Sequence, residues 1–328
     1  MSEFPLVSLP KETGDMIPVG ISACLLGQPV RFDGGHKRYP YAVDVLARYF
    51  SYVPICPEVA VGLSIPRPTI RLVGDPQRPR AVGVRDPSLD VTERLEGFAA
   101  RQVPLLAGLS GYILKKDSPS CGMERVRVYG EDQGMASRSG SGIFARELLR
   151  TLPNLPVEEE GRLNDPVLRE NFVTRVFVYH RWQGLLAEGV SPSRLIAFHS
   201  SHKYLVMAHS QAAYQRMGRL LSNLARPELP AIIRDYETEL MTSLKRRVTP
   251  QRHANVLQHI MGYLKDRIDG DDRRELVESI ESYRRGEVHL IVPITLLRHY
   301  FRRNPDPYIA GQIYLRPHPE QLGLLGRI

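Results

Sequence analysis

Three short apolar runs, each spilling into a polar loop that carries a cysteine, constrain this chain more than anything else in it. Ile17-Pro18-Val19-Gly20-Ile21-Ser22-Ala23-Cys24 leads into Leu25-Leu26-Gly27, and Tyr52-Val53-Pro54-Ile55-Cys56 into Pro57-Glu58-Val59. Gly111-Tyr112-Ile113-Leu114 leads into Lys115-Lys116-Asp117-Ser118-Pro119-Ser120-Cys121-Gly122. Short apolar runs bounded by turn residues read as buried strands. A helix is expected between the first two, near Pro40–Phe50, with Val43, Leu46, Ala47 and Phe50 inward. Another opens at Asp90 or Thr92 and reaches about Leu109. The β-α-β order predicts an α/β fold, a mostly parallel, Rossmann-like sheet covered by helices.

In such sheets ligands collect beyond the carboxyl ends of the strands, where the loops diverge. Cys24, Cys56 and Cys121 stand at three such ends, 32 and 65 residues apart, so the fold alone can bring them together. They are the only cysteines in 328 residues. An odd, sparse set argues against an extracellular disulfide framework and for ligands or reactive thiols. Lys115 and Lys116 add positive charge that favours thiolate. Three soft thiolates suit an iron–sulfur cluster, zinc or Cu(I). Structural zinc would want a fourth protein ligand, with His36 the candidate. A [4Fe-4S] cluster on three cysteines instead leaves one iron open to substrate.

The rest of the first half reads as a strand pair, Thr69–Val73 and Ala81–Val84 around Gly74-Asp75-Pro76, then a strand at Arg125–Tyr129. Ser139-Gly140-Ser141-Gly142 introduces a helix to about Leu152; its amides can face an anion, though close packing is the commoner use of such a turn. The character changes after Pro156-Val157-Glu158-Glu159-Glu160. Starts at Asn164-Asp165-Pro166, Ser191-Pro192 and Thr249-Pro250 announce helices almost throughout. The expected division is 1–163 for an α/β domain, 164–304 for an all-α helical domain and 305–328 for an extended tail. His199, His202 and His209 fall within an arc of about 80° on a helix. Such histidines are more often hydrogen-bonded between helices than ligands.

The formal charge of +8 gives a basic surface. That balance can attract nucleic acid or another anion, but no concentrated Lys/Arg block stands out. No run approaches the roughly 18 apolar residues of a membrane span. Met1–Met16 lacks a signal pattern, so a cytoplasmic protein is expected.

Ser22-Ala23-Cys24-Leu25-Leu26-Gly27, Cys56-Pro57-Glu58-Val59, Gly62-Leu63-Ser64-Ile65-Pro66-Arg67-Pro68 and Lys116-Asp117-Ser118-Pro119-Ser120-Cys121-Gly122 together resemble the thiouracil desulfurase family, over residues from about 15 to 160. The helical remainder resembles the YbgA-type domain around His199-Ser200-Ser201-His202-Lys203-Tyr204 and Met207-Ala208-His209-Ser210. The first resemblance implies a [4Fe-4S] cluster bound by Cys24, Cys56 and Cys121 and non-redox removal of sulfur from a thiolated nucleobase or nucleotide, such as 2-thiouracil. Glu58 and Ser118 align with positions thought to be catalytic. A poorly solvated Glu58 suits proton transfer, and Ser118 suits orienting water or base. Ser22, Asp33, Lys116 and Ser120 are candidates for outer support. Arg67, with Arg71, is a candidate for the entrance, where it would meet a phosphate. The rival class is a metal- or cluster-containing module that recognises thiolated nucleotides or RNA without turnover.

Overall fold

The computed structural model describes residues 16–130, 136–222, 224 and 226–326. The expectation about the N-terminal segment falls on residues that, up to 15, lie outside them. The chain divides into two compact units, one ending at Asn164 and one beginning at Asp165.

In the first unit β1 (Ile17–Ser22) lies between β2 (Phe50–Ile55) and β5 (Gly111–Leu114). The order is β2-β1-β5-β8, with β8 at Val157–Glu159, and every pairing is parallel. Register explains the convergence of the cysteines. Ser22 stands beside Ile55 and Ile21 beside Ile113, so the loops after β1, β2 and β5 all leave from one edge. The sheet core is apolar because both faces are covered: Val19, Ile21, Tyr112, Ile113 and Leu114 are fully buried. Gly20 has a packing reason, since a Cβ there would lie 2.2 Å from the Tyr112 ring. Helices α2 (Thr92–Gln102) and α3 (Ile143–Thr151) contribute Phe98 and Phe144, whose rings stack with centroids 6.2 Å apart. The four-residue α1 (Pro57–Ala60) follows Cys56 directly.

Two departures from expectation matter. The strand pair β3 (Ile70–Val73) and β4 (Arg80–Gly83) forms, but in a second sheet, β4-β3-β6-β7, with β6 at Val126–Tyr129 and β7 at Ser137–Gly140. The stretch before β2 is a π turn (Tyr41–Val45) and a 3₁₀ turn (Leu46–Arg48) rather than a regular helix, and Phe50 is already in the strand, paired with Ile17.

The second unit is helical: α4 (Pro166–Ala187), α5 (Pro192–His209), α6 (Gln211–Leu221), α7 (Leu229–Leu244), α8 (Pro250–Met261), α9 (Gly270–Arg284) and α10 (Ile291–Arg303). Asp165, Ser191 and Thr249 each accept amide bonds at a helix start that proline follows, which is why these starts are readable. Trp182 is fully buried, stacked on Tyr236 with centroids 5.3 Å apart. Residues after Asn304 are not the extended tail expected. They fold as α11 (Pro307–Ala310) and three 3₁₀ turns, burying Ile309, Tyr314, Leu315, Leu322 and Leu324. Prolines at 305, 307, 317 and 319 suggest extension. The alternating large apolar residues win by packing. Among the described residues no helix is long and apolar enough to cross a membrane.

Candidate functional site

A cavity of about 370 Å³ opens at the carboxyl edge of the parallel sheet, and Cys24, Cys56 and Cys121 all line it. Each reaches it differently. Cys24 sits in the 3₁₀ turn Ala23–Leu26, whose end needs the left-handed Gly27. Cys56 is the N-cap residue of α1, and its thiol donates to the Val30 carbonyl at 3.8 Å. Cys121 lies in the loop after β5, and the amides of Ile143, Phe144 and Ala145 at the start of α3 take the carbonyls of Pro119 and Ser120. The glycine-rich entry to α3 therefore serves packing, not an anion. A Cβ at Gly142 would fall 2.5–2.7 Å from the backbone of Ser120 and Cys121.

The acids Glu158, Glu159 and Glu160, after which the character of the chain changes, are structural. Glu159 accepts from the Met123 amide at 2.8 Å; Glu160 accepts from the Lys115 ammonium at 2.6 Å and the Lys116 amide at 2.8 Å. Both pin the cysteine loop to β8. Glu158 takes Arg162 at 2.6 Å.

Along the cavity wall runs a chain of polar groups. Arg67 donates Nε and Nη2 to Glu58 Oε2 at 2.9 and 2.8 Å. Ser120 donates its hydroxyl to Glu58 Oε1 at 2.8 Å and stands 3.1 Å from the Ser118 hydroxyl. Ser118 Oγ accepts from the amides of Ser120 and Cys121 at 3.3 and 3.1 Å, so its own proton is left to donate. Ser22 Oγ accepts from the Lys115 amide at 3.0 Å, and the Ser120 hydroxyl lies 3.7 Å from the Cys121 sulfur. Lys116 lines the cavity with an exposed side chain 3.7 Å from Asp117.

Three expectations need correction. Arg67 is buried and committed to Glu58, Val30 O and Ser64 O, so it is no entrance cation; Arg71 stacks on Tyr129 outside the cavity wall. Asp33 is exposed, caps its own turn by accepting from the Gly35 amide at 3.0 Å, and does not line the cavity. The lysines do not win over burial. Desolvation, then the charge of Cys56, pushes the Cys24 thiol up to about 11 despite Lys115 and Arg31. Cys121 rises well above its usual range for the same two reasons, and Cys56 rises mainly through desolvation.

These thiols repel one another once ionised, so a cationic centre among them is what would make them ligands. His36 is exposed, accepts from the Arg38 amide at 3.2 Å and lies off the wall, which removes it as a fourth ligand. Among the described residues no three His, Cys, Asp or Glu side chains group to hold one metal ion. The thiols stand round a volume instead of meeting at a point. Beneath them the Tyr112 hydroxyl is buried with no hydrogen-bond partner among the described residues, and it is electrostatically coupled to all three sulfurs. Soft donors around a volume, with an orphaned buried O–H within their electrostatic reach, fit a polynuclear iron–sulfur core better than a single ion.

In the helical unit the three histidines do not form a ligand set. His199 Nδ1 meets the Tyr236 hydroxyl at 3.2 Å, His202 Nδ1 the Phe198 carbonyl at 2.8 Å, and His209 Nδ1 the Arg246 carbonyl at 2.6 Å.

The family model for 2-thiouracil desulfurase matches residues 19–160, and that for a protein of unknown function, DUF1722, matches residues 203–319. The Escherichia coli (strain K12) protein YbgA, itself uncharacterised, is 31% identical over 156 residues, 47% of this chain and 92% of its own length. A solved chain titled a [4Fe-4S]-dependent thiouracil desulfidase, TudS, is 35% identical, covering 46% of this chain and 95% of that one, with a TM-score of 0.37.

Proposed function

From a chain that belongs to the 2-thiouracil desulfurase family, with a DUF1722 unit joined behind the family domain, we propose the non-redox desulfuration of a thiolated nucleobase such as 2-thiouracil, giving uracil and sulfide. Cys24, Cys56 and Cys121 hold a [4Fe-4S] cluster in this reading. When bound, it supplies a Lewis-acidic iron without a protein ligand that polarises the thiocarbonyl.

The observation that carries the proposal is the hydrogen-bonded line Ser118–Ser120–Glu58–Arg67 on the wall that the three cysteines share. Replacing C=S by C=O requires water to lose protons as it adds, and the departing sulfur to gain them. Ser118, with both amide bonds donated to it, presents its proton to Ser120, and Ser120 presents its own to Glu58. For water to give up its proton here it takes the place of the longer amide bond on Ser118 Oγ, the 3.3 Å one from Ser120, and the proton then passes by two hydroxyl shifts to the Glu58 carboxylate. Arg67 fixes that carboxylate by its two bonds to Oε2, leaving Oε1 to receive. The same line run backwards returns a proton to the leaving sulfur. Ser22 and the Lys115–Glu160 pair hold the Cys121 loop in place.

Anaerobic purification tests the reading. About four iron per chain with a brown colour, and sulfide released from 2-thiouracil, are expected. Cys121→Ser loses the colour; Glu58→Gln keeps it and loses most sulfide release. Zinc without colour, or a coloured protein inert to every thio-base tried, overturns the proposal.

A further inference from the structure

The helical unit has a cavity of its own, about 180 Å³, between α4, α5, α8, α9 and α10 and the folded C-terminal residues. Leu205, Leu290 and Ile294 give it apolar walls. Set into them are Glu170, Asn171, His209, His253, Tyr283 and Tyr314.

The hydrogen-bond capacity left over in this set is lopsided. Asn171 gives one N–H of its amide to the Leu244 carbonyl at 2.8 Å, which leaves the acceptor Oδ1 and a single further N–H. A carbonyl only accepts, so His209 Nδ1 carries the proton it gives to Arg246 O, and Nε2 is a lone pair. His253 Nδ1 is occupied by the Tyr314 hydroxyl at 2.8 Å. The Glu170 carboxyl has no hydrogen bond or ion pair among the described residues. Desolvation alone shifts it, up to about 7, so no cation stands close enough to compensate it. The one cation on the wall, Arg247, is half exposed and lies 3.8 Å from Asp165. A carboxyl recessed beside two imidazoles also suggests a metal, but no such grouping exists among the described residues.

An acceptor-rich, carboxylate-bearing cavity with apolar and aromatic walls fits a ligand that is cationic, rich in N–H and short in carbon. We propose that the helical unit binds a small primary alkylammonium in this cavity, its charge on Glu170, its N–H groups on Asn171 Oδ1 and His209 Nε2, and its alkyl chain against Leu205, Leu290 and Ile294. The volume admits a chain of only a few carbons. Tyr283 and Tyr314, which both feel the charge of Glu170, offer ring faces beside the ammonium. This site owes nothing to the cysteine chemistry and stands or falls without it.

The test uses the full-length protein and follows Trp182, the single tryptophan of the chain, which reports on this unit. The probes are n-butylammonium, its neutral counterpart 1-butanol and its anionic counterpart butyrate, in thermal melts and calorimetric titration at pH 8. Butylammonium is expected to raise the melting temperature in a saturable way, since a ligand of the folded state stabilises it by mass action. The alcohol and the acid are expected to do so weakly or not at all. Glu170→Gln weakens butylammonium binding about tenfold or more, the loss of a charge-assisted contact. The same variant melts higher than the parent when no amine is present, because an uncompensated carboxyl has gone. Leu290→Phe, which narrows the cavity without touching the charge or adding a second tryptophan, also weakens binding. Equal effects of butanol and butylammonium, no saturable binding, or binding unchanged in Glu170→Gln overturns the proposal.

Discussion

Ser120 donates its hydroxyl to Glu58 Oε1 at 2.8 Å, joining the loop after β5 to the helix after β2 across 62 positions of sequence. In the proposed mechanism this contact puts Ser120 in the middle of the proton path, with Ser118 on one side and the carboxylate on the other. Ser120→Ala is expected to keep the iron content and lower kcat for sulfide release by about 10²-fold, the lower end of what general acid–base catalysis contributes. KM should move little, and Ser120→Thr should recover part of the loss. Ser118→Ala combined with Ser120→Ala should be hardly worse than either alone, because groups acting as one unit are not additive. Turnover of Ser120→Ala within twofold of the parent would remove it from the path.

Arg67 and Glu58 form an ion pair whose side chains are 3% and 13% exposed. Taking one charge away strands the other in a poorly solvated place, a loss of about 3–5 kcal/mol for fully buried pairs. Arg67→Met is expected to destabilise the apo protein towards that size, and Glu58→Gln in the same chain to restore part of it. Urea melts of the four proteins measure the coupling. Additive effects would mean the pair does no more than fill space.

How much of this was legible in the sequence depends on whether each signal is local. Strand ends and the cysteines beside them are local, so Cys24, Cys56 and Cys121 could be placed at one sheet edge from the β-α-β order alone. Glu58 and Ser118 could be singled out by neighbourhood and resemblance. The rank of Ser120 above mere support, and the inward turn of Arg67, could not, because each is set by a partner 62 or 9 residues away meeting it in three dimensions. The strand β8 was hidden for a different reason. Val157-Glu158-Glu159 looks solvated, yet it pairs with Tyr112-Ile113-Leu114 while two of those carboxylates and Glu160 satisfy groups of the cysteine loop and Arg162. Asp33 erred the other way: an acid near a cysteine turned out to serve its own turn. The Glu170 cavity left no trace at all, since Glu170, Asn171, His209, His253, Tyr283 and Tyr314 come from four helices and a C-terminal turn.

Burial holds His202, His209 and His253 of the helical unit neutral, as it does His199 and His318. His202 is pushed down to about 3, His209 to about 4 and His253 to about 3, each chiefly by desolvation. Their folded values lie below the ordinary 6.5, so between the two the unfolded chain binds protons that the folded one does not. The stability they allow is complete above pH 6.5 and is lost as pH falls through that value towards 4, by about 1.4 kcal/mol per pH unit for each histidine. Trp182 fluorescence in denaturant from pH 7.5 to 4.5 should show this acid slope, and His253→Gln should make it shallower. A flat profile would mean that water reaches these rings.

Gly142 is hemmed in by backbone of the cysteine loop. A methyl group there would sit 2.5 Å from the Ser120 carbonyl carbon, 2.6 Å from its oxygen and 2.7 Å from the Cys121 nitrogen, all backbone atoms that cannot swing aside. Its φ of −60° is open to any residue, so contact, not conformation, demands glycine. Gly142→Ala must therefore push the Ser118–Cys121 loop away from α3, moving one sulfur and the Ser118–Ser120 pair together. The expected result is a folded protein with reduced iron and sulfide release lowered further than the iron. Gly97→Ala on α2 is the control: its new methyl meets only the end of the Arg101 side chain, at 3.5 Å. Alanine in that helix should stabilise by about 0.5–1 kcal/mol with activity unchanged. If Gly142→Ala bound iron and turned over like Gly97→Ala, the loop would have to be free to shift, and the close fit between α3 and the cysteine loop could not be what holds Cys121 in place.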